Sequence, residues 1–206
     1  MRNVCVFAGS SVAASKACLD AARGTGRAIA ARGLGLVYGG GAAGVMGALA
    51  DAALTGGARV TGVIPRFMLE KGLAHAGVRD LRAVWSMPER KAMLLEISDA
   101  FVALPGAFGT LDELFEALTG AQLGLHRKPC GLLNVGGYYD GLLAFLDRAC
   151  AERLLSNEHR ALLAAAKTPG SLLDRLARLT ASSPASRSLS GLPAAREAAC
   201  GGRRRR

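Results

Sequence analysis

Aromatic residues are scarce in this chain, with one tryptophan, three tyrosines and six phenylalanines among 206 residues, whereas glycine occurs 27 times. Small side chains in that proportion suit close packing of helix on sheet and tight turns around a ligand. Histidines are few as well: His75, His126 and His159 have no serine or cysteine elbow beside them. No Ser-His-Asp arrangement can be read, and surface or capping roles are expected of all three. Cysteines at positions 5, 18, 130, 150 and 200 form no C-x-x-C pair and have no neighbouring histidine cluster. That excludes a disulfide framework and a zinc site, and no metal or cofactor is expected. A G-x-x-x-x-G-K-[ST] loop is absent, which argues against a P-loop NTPase. Long hydrophobic runs are missing too. The apolar core of MRNVCVFAGSS is too short for a signal peptide, and the longest uncharged run, Gly33 to Ala50, contains seven glycines. The expectation is a soluble, cytoplasmic protein with no membrane partner.

Acids are outnumbered, 16 against 26 lysines and arginines, for a formal net charge of +10. Spread over one folded face, that excess would suggest a nucleic-acid binder. Instead six arginines (Arg187, Arg196 and Arg203 to Arg206) stand against one acid, Glu197, beyond residue 180, so about half of it (6 − 1 = +5) lies at the carboxyl end. Residues 181–206, rich in Ser, Ala and Gly and without sustained periodicity, read as a disordered basic tail. Such a tail can touch anions non-specifically, and no specific nucleic-acid partner is expected.

Residues 1–180 suffice for one sizeable domain, and with half of the chain hydrophobic it can bury a substantial core. Short β-rich runs alternate with helical patterns. NVCVFA precedes a helix over 14–31, GLVY one over 45–54, and RVTGVI and LRAVW one over 89–97. AFVAL then precedes a helix over 111–123 and PCGLLNV one over 141–151, while 154–180 reads as helical throughout. This alternation predicts an α/β fold, a Rossmann-like doubly wound parallel sheet with helices on both faces. Ligands bind such sheets beyond the carboxyl ends of the strands. Three loops at that edge, Ala8–Ser11, Tyr38–Gly44 and Pro105–Thr110, are rich in small residues. Each can offer bare N–H groups and a helix dipole to a phosphate. Gly39 to Gly44 also matches G-x-G-x-x-G, but the next strand ends Val63-Ile64-Pro65-Arg66 without the ribose-binding acid of a dinucleotide site. A nicotinamide-dependent enzyme is weakened as a reading but not removed.

Two side chains stand out. In SMPERKAMLLEI, Ser86-x-x-Glu89 is a capping box and Pro88 suits the first helical turn. Arg90 continues the stripe of Met93, Leu94 and Ile97. A guanidinium facing a core requires an anion, whether a carboxylate, a bound phosphate or both, and a structural ion pair would also satisfy it. Lys91, a third of a turn away, reads as an ordinary solvent-facing lysine. In LPGAFGTLDE, Thr110-x-x-Glu113 is a second capping box, and Leu111, Leu114, Phe115 and Leu118 form the buried stripe with Glu113 and Glu116 opposite. Periodicity makes Glu113 an exposed cap, whereas its place at the glycine-lined edge makes it a catalytic carboxylate. Spacing alone leaves both open. Asp99 reads as a turn residue.

CVFAGSS, LVYGGGAAGVMGALAD, GVIP, MPERKA, ALPGAFGTLDELFEALT and KPCGLLNVGGYYDGLLAFLD together resemble the LONELY GUY family of cytokinin riboside 5′-monophosphate phosphoribohydrolases over about residues 3 to 180. The paired motifs ERK and PGGxGTxxE carry the resemblance. It implies a homodimer that hydrolyses the N-glycosidic bond of an adenosine 5′-monophosphate, N6-substituted or not, to free base and ribose 5-phosphate. Members often bear the label lysine decarboxylase, but nothing in the sequence resembles a pyridoxal phosphate site. By resemblance the catalytic pair falls on Arg90 and Glu113, and substrate contacts fall on Lys91, Thr119 and the turn Pro105, Gly106, Ala107, Phe108, Gly109 and Thr110. Gly9, Ser10, Gly39, Gly40 and Gly41 join them from the other two loops. Four positions depart from the usual pattern. Pro88 replaces a histidine, Ala107 a glycine, Gly120 a tryptophan and Gly72 a glutamate, with Glu70 close by. Ala107 is costly there if its backbone needs a positive φ. A non-catalytic nucleotide or cofactor carrier on the same fold is the alternative that these departures raise.

Overall fold

The computed structural model describes residues 1–182, so the expected tail from 183 onward lies outside the described residues. Seven strands form one sheet in which every pairing is parallel. They are β1 (Asn3–Phe7), β2 (Gly35–Tyr38), β3 (Val60–Pro65), β4 (Asp80–Val84), β5 (Ala100–Ala103), β6 (Cys130–Leu133) and β7 (Leu163–Ala166), in the order β4-β3-β2-β1-β5-β6-β7. Helices α1 (Lys16–Ala31), α2 (Gly44–Thr55), α3 (Arg66–Glu70), α4 (Met87–Glu96), α5 (Phe108–Gln122), α6 (Asp140–Ala151), α7 (Asn157–Arg160) and α8 (Pro169–Ser182) connect and cover the strands.

The strands read as continuous apolar runs because both of their faces are covered. On one face Val4, Val6, Leu36 and Val102 pack with Ile29 of α1, Leu49 of α2 and Leu172 and Leu176 of α8. On the other, Cys5, Val63, Phe101 and Leu132 pack with Leu94 of α4, Leu114 and Ala117 of α5 and Leu146 of α6. This is the doubly wound arrangement expected. Gly26 lets α1 lie against the backbone of α2, where an added Cβ would be 2.5 Å from the Leu49 carbonyl oxygen.

Two expectations are corrected. Residues 154–180 are not helical throughout, since β7 (Leu163-Ala-Ala-Ala166) adds an edge strand to β6 between α7 and α8. Alanine favours helix, so the run gave no β signal, but pairing with β6 overrides propensity. The last helix also continues to Ser182, past the boundary expected at 180. Among the described residues no helix is long and apolar enough to cross a membrane.

The strand order reverses between β1 and β5. From β1 the chain steps outward through β2 and β3 to β4, then returns to pair β5 with the other side of β1. The loops leaving β1 and β5 therefore diverge and leave a crevice, the usual ligand position in an open parallel sheet.

Candidate active site

A cavity of about 610 Å³ opens at this reversal. Gly9 and Ser10 after β1 and Pro105, Gly106, Ala107, Gly109 and Thr110 after β5 line it, with Arg90 of α4 and Glu113 of α5. The two loops touch closely, and a Cβ built on Gly9 would lie 3.9 Å from Gly106 Cα. Methionines 46, 68 and 87 supply an apolar wall.

Arg90 reaches the cavity because Ser86 caps α4 and sets its register. The Ser86 hydroxyl accepts from Glu89 N at 3.2 Å, and the Glu89 carboxylate accepts from Trp85 N at 2.8 Å, one residue before the cap that a strict capping box would use. Arg90 thus shares the buried face with Leu94, and only 8% of it is exposed. Its Nε donates to the Val63 carbonyl at 3.0 Å and Nη2 to the Gly39 carbonyl at 3.2 Å, while Nη1 lies 3.3 Å from Glu113 Oε1. The anion that a core-facing arginine requires is therefore Glu113, with carbonyls within β3 and just after β2 accepting its other N–H groups.

Glu113 is not the exposed cap that periodicity indicated, since its side chain is 10% exposed. Helix α5 begins at Phe108, earlier than the expected 111, with Ala107 as N-cap and no side-chain capping bond. Thr110 is thus inside the first turn and buried, and the Thr110-x-x-Glu113 capping box does not form. The deepest contacts of α5 come from Thr110, Leu114 and Ala117. Glu113 flanks that stripe, roughly 60° round from Thr110 by helical geometry. Burial pushes the Glu113 carboxyl above its ordinary value, and Asp112 and Glu116 add to the rise while Arg90 and Lys91 oppose it.

The first N–H groups of α5 have no acceptor within the helix. Its first backbone bond runs from Leu111 N to the Ala107 carbonyl, so the turn from Ala107 to Thr110 presents donors at a positive helix end beside the cavity. Ala107 has φ −110°, so the positive φ that would penalise its methyl does not occur. Gly106 is required for a different reason: a Cβ there would collide with the Thr110 hydroxyl, at 2.1 Å.

The other expected contacts lie elsewhere. Gly39, Gly40 and Gly41 do not line the cavity: Gly39 sits against Arg90, Gly40 faces Leu81 and Ile64, and Gly41 faces Met46. A Cβ on Gly39 would lie 2.0 Å from Arg90 Nη2, so this glycine makes room for the guanidinium. Gly40 holds φ +77°, and its carbonyl accepts from His75 N at 2.9 Å. Lys91 is not the solvent-facing lysine read from the helix pattern. It bridges α4 to α5 through Asp112 at 3.1 Å and Glu116 at 2.6 Å. Phe108 and Thr119 are exposed and away from the cavity wall. Gly72 holds φ +69°, which explains why no glutamate side chain stands there. Asp99 accepts from Arg2 N and Asn3 N and holds the start of β1, as a turn residue would.

The sequence pattern gave no hint of Tyr138 and Cys18, which also line the cavity. The available signal for Tyr138 was the Gly-Gly-Tyr-Tyr loop, which leaves β6 at the same sheet edge.

A family model described as possible lysine decarboxylase matches residues 46–176. The chain is 49% identical over 175 residues to the probable cytokinin riboside 5′-monophosphate phosphoribohydrolase LOGL9 of Oryza sativa subsp. japonica, covering 85% of this chain and 77% of that one. It is 45% identical to the cytokinin riboside 5′-monophosphate phosphoribohydrolase LOG3 of Arabidopsis thaliana, over 85% of this chain and 81% of the relative. Among solved structures, the molybdenum cofactor carrier protein of Chlamydomonas reinhardtii shares the fold with a TM-score of 0.68 and 21% identity, over 87% of this chain and 98% of that one. The molybdenum cofactor binding protein of Rippkaea orientalis does so with a TM-score of 0.67 and 22% identity, with the same coverage.

Proposed function

The chain belongs to the family of cytokinin riboside 5′-monophosphate phosphoribohydrolases, and from that premise we propose that it hydrolyses the N-glycosidic bond of adenosine 5′-monophosphates, N6-substituted or not. The observation that carries this reading is the buried pair of Arg90 and Glu113 at the rim of a helix N-terminus. Water forms a bond to the anomeric carbon, the bond to the base nitrogen breaks, and the departing base takes up a proton. Positive charge develops on the ribose in the transition state. A carboxylate held nearby in a water-poor site stabilises that charge or activates the water. Glu113 has this role in the proposal, and Arg90 keeps it oriented while offering its remaining hydrogen-bonding capacity to the substrate.

The phosphate is assigned to the turn Pro105–Thr110 with Gly9 and Ser10 opposite, where free N–H groups and the α5 dipole favour an anion. Gly39 serves the substrate by making room for Arg90, and Lys91 serves it through the acids flanking Glu113. A homodimer is part of the proposal. Phe67, Trp85 and Phe108 are exposed on the elements that flank the cavity and are the apolar surface that a second copy would cover. A cytoplasmic location fits the four unpaired cysteines among the described residues. The basic segment beyond residue 182 is assigned no role in the reaction.

The decarboxylase description of the family model would imply pyridoxal phosphate, which needs a lysine for its Schiff base. No lysine lines the cavity, and Lys91 is held by Asp112 and Glu116, so the residues do not fit that cofactor.

The test incubates purified protein with AMP and with isopentenyladenosine monophosphate and follows free base by chromatography. Release of base by the wild type and its loss in Glu113→Gln are expected. No release, or equal release by the variant, overturns the proposal. A carrier on this fold would instead bind nucleotide in calorimetry without turning it over.

A further inference from the structure

Two tyrosines outside the expected site grip its phosphate turn from behind. The loop after β6 places Tyr138 and Tyr139 side by side, with ring centroids 4.9 Å apart and planes at 88°. The Tyr139 hydroxyl donates to the Leu104 carbonyl at 2.6 Å, and the Tyr138 hydroxyl donates to the Gly106 carbonyl at 2.9 Å. Both acceptors belong to the stretch that becomes the N-terminus of α5.

The loop is itself built to aim these rings. Gly136 and Gly137 hold φ of +55° and +77°, which reverse the chain directly after β6. The Asn134 side-chain Oδ1 accepts from Tyr139 N at 2.8 Å, and its Nδ2 donates to Asp140 Oδ1 at 2.7 Å, so a buried asparagine fixes the loop at both ends. Tyr139 is 2% exposed and Tyr138 52% exposed. One ring is thus locked in the core and the other lies along the cavity wall.

We propose that Tyr138 and Tyr139 are positioning residues of the phosphate turn, acting through the carbonyls of Gly106 and Leu104 to hold the N–H groups of Ala107 to Thr110 toward the cavity. A peptide carbonyl and the following N–H belong to one rigid plane. Tying the Gly106 carbonyl to a phenol outside the turn therefore fixes the direction of the Ala107 N–H. Without that tie the turn can rotate its peptides, and preorganisation of the anion site is lost. The ligand addressed is the phosphate of the nucleotide rather than its base.

This inference rests on the proposed nucleotide reading, and the experiment separates the two. Calorimetry compares AMP, ribose 5-phosphate and adenosine on the wild type, Tyr138→Phe and Tyr139→Phe, with the melting temperature of each recorded. Loss of one hydrogen bond's worth of preorganisation predicts affinity for AMP and ribose 5-phosphate roughly 3- to 10-fold weaker, with adenosine unchanged. In turnover, KM for AMP rises by the same factor and kcat stays within about twofold. Tyr139 is buried too deeply to touch a ligand, so the same pattern in Tyr139→Phe places the effect in the turn and not in a direct contact of Tyr138. Equal affinities in wild type and both variants overturn the inference alone. So does a parallel loss for adenosine together with a lowered melting temperature. Absence of phosphate-ligand binding by the wild type removes the nucleotide reading and this inference with it.

Discussion

Glu113 imposes opposed pH dependences on activity and stability. Its carboxyl is held above the ordinary value of 4.5, first by burial. Below that ordinary value the group is protonated in both the folded and unfolded chains. As pH rises from there through the raised folded value, the unfolded chain gives up its proton first, so the stability contributed by the protonated folded form is lost. Catalysis needs the carboxylate and gains over the same interval. The expected outcome is an acid limb in kcat/KM lying above the ordinary carboxylate range, with the urea unfolding midpoint falling over the same window. Glu113→Gln should flatten the fall in the midpoint, and an unchanged fall would show that another group titrates. Arg90 was legible in the sequence because a charge on an apolar stripe demands a partner. The burial of Glu113 was not, because leucine and phenylalanine suggest the core-facing side by hydrophobicity. The buried residues of α5 are instead Thr110, Leu114 and Ala117, which rotates the buried face toward Glu113.

At the scale of elements, α4 and α5 are joined across the site by Arg90–Glu113 and by Lys91 with Asp112 and Glu116. The second bridge is half in solvent and contributes little stability. Its effect is electrostatic, since Lys91 lowers the Glu113 pKa and offsets two acids that raise it. Lys91→Met should move the acid limb of kcat/KM to higher pH while leaving the alkaline side in place. If Lys91 instead binds substrate directly, KM rises and the limb stays where it was. Most elements could be read from continuous apolar runs such as AFVA, but β7 could not. Its Leu-Ala-Ala-Ala has no β-branched or aromatic residue to favour a strand, and only the free edge of β6 makes it one.

For the molecule as a whole, α8 is the last of the described elements. Leu172, Leu173 and Leu176 are each at most 1% exposed and cover one face of the sheet. Each buried leucine is worth about 1.5–3 kcal/mol, so losing all three removes an amount comparable to the roughly 5–15 kcal/mol that holds a domain together. A chain ending at Ser182 should keep the turnover and melting temperature of the full protein. One ending before Pro169 should fail to give a cooperative thermal transition. Loss of turnover in the chain ending at Ser182 would give the basic segment a part in the reaction.

The central pairing of β1 with β5, which sets Val4 beside Ala100, also governs when the cavity can come into being. Its two walls lie on strands separated by roughly 100 residues, a closure that costs chain entropy before any contact repays it. An amino-terminal fragment that stops before β5 therefore lacks one wall of the cavity, and on the ribosome the site cannot precede the emergence of β5 and α5. A ligand that recognises only the assembled cavity stabilises the completed chain by mass action, so the substrate itself would favour the finished protein over its partly folded forms.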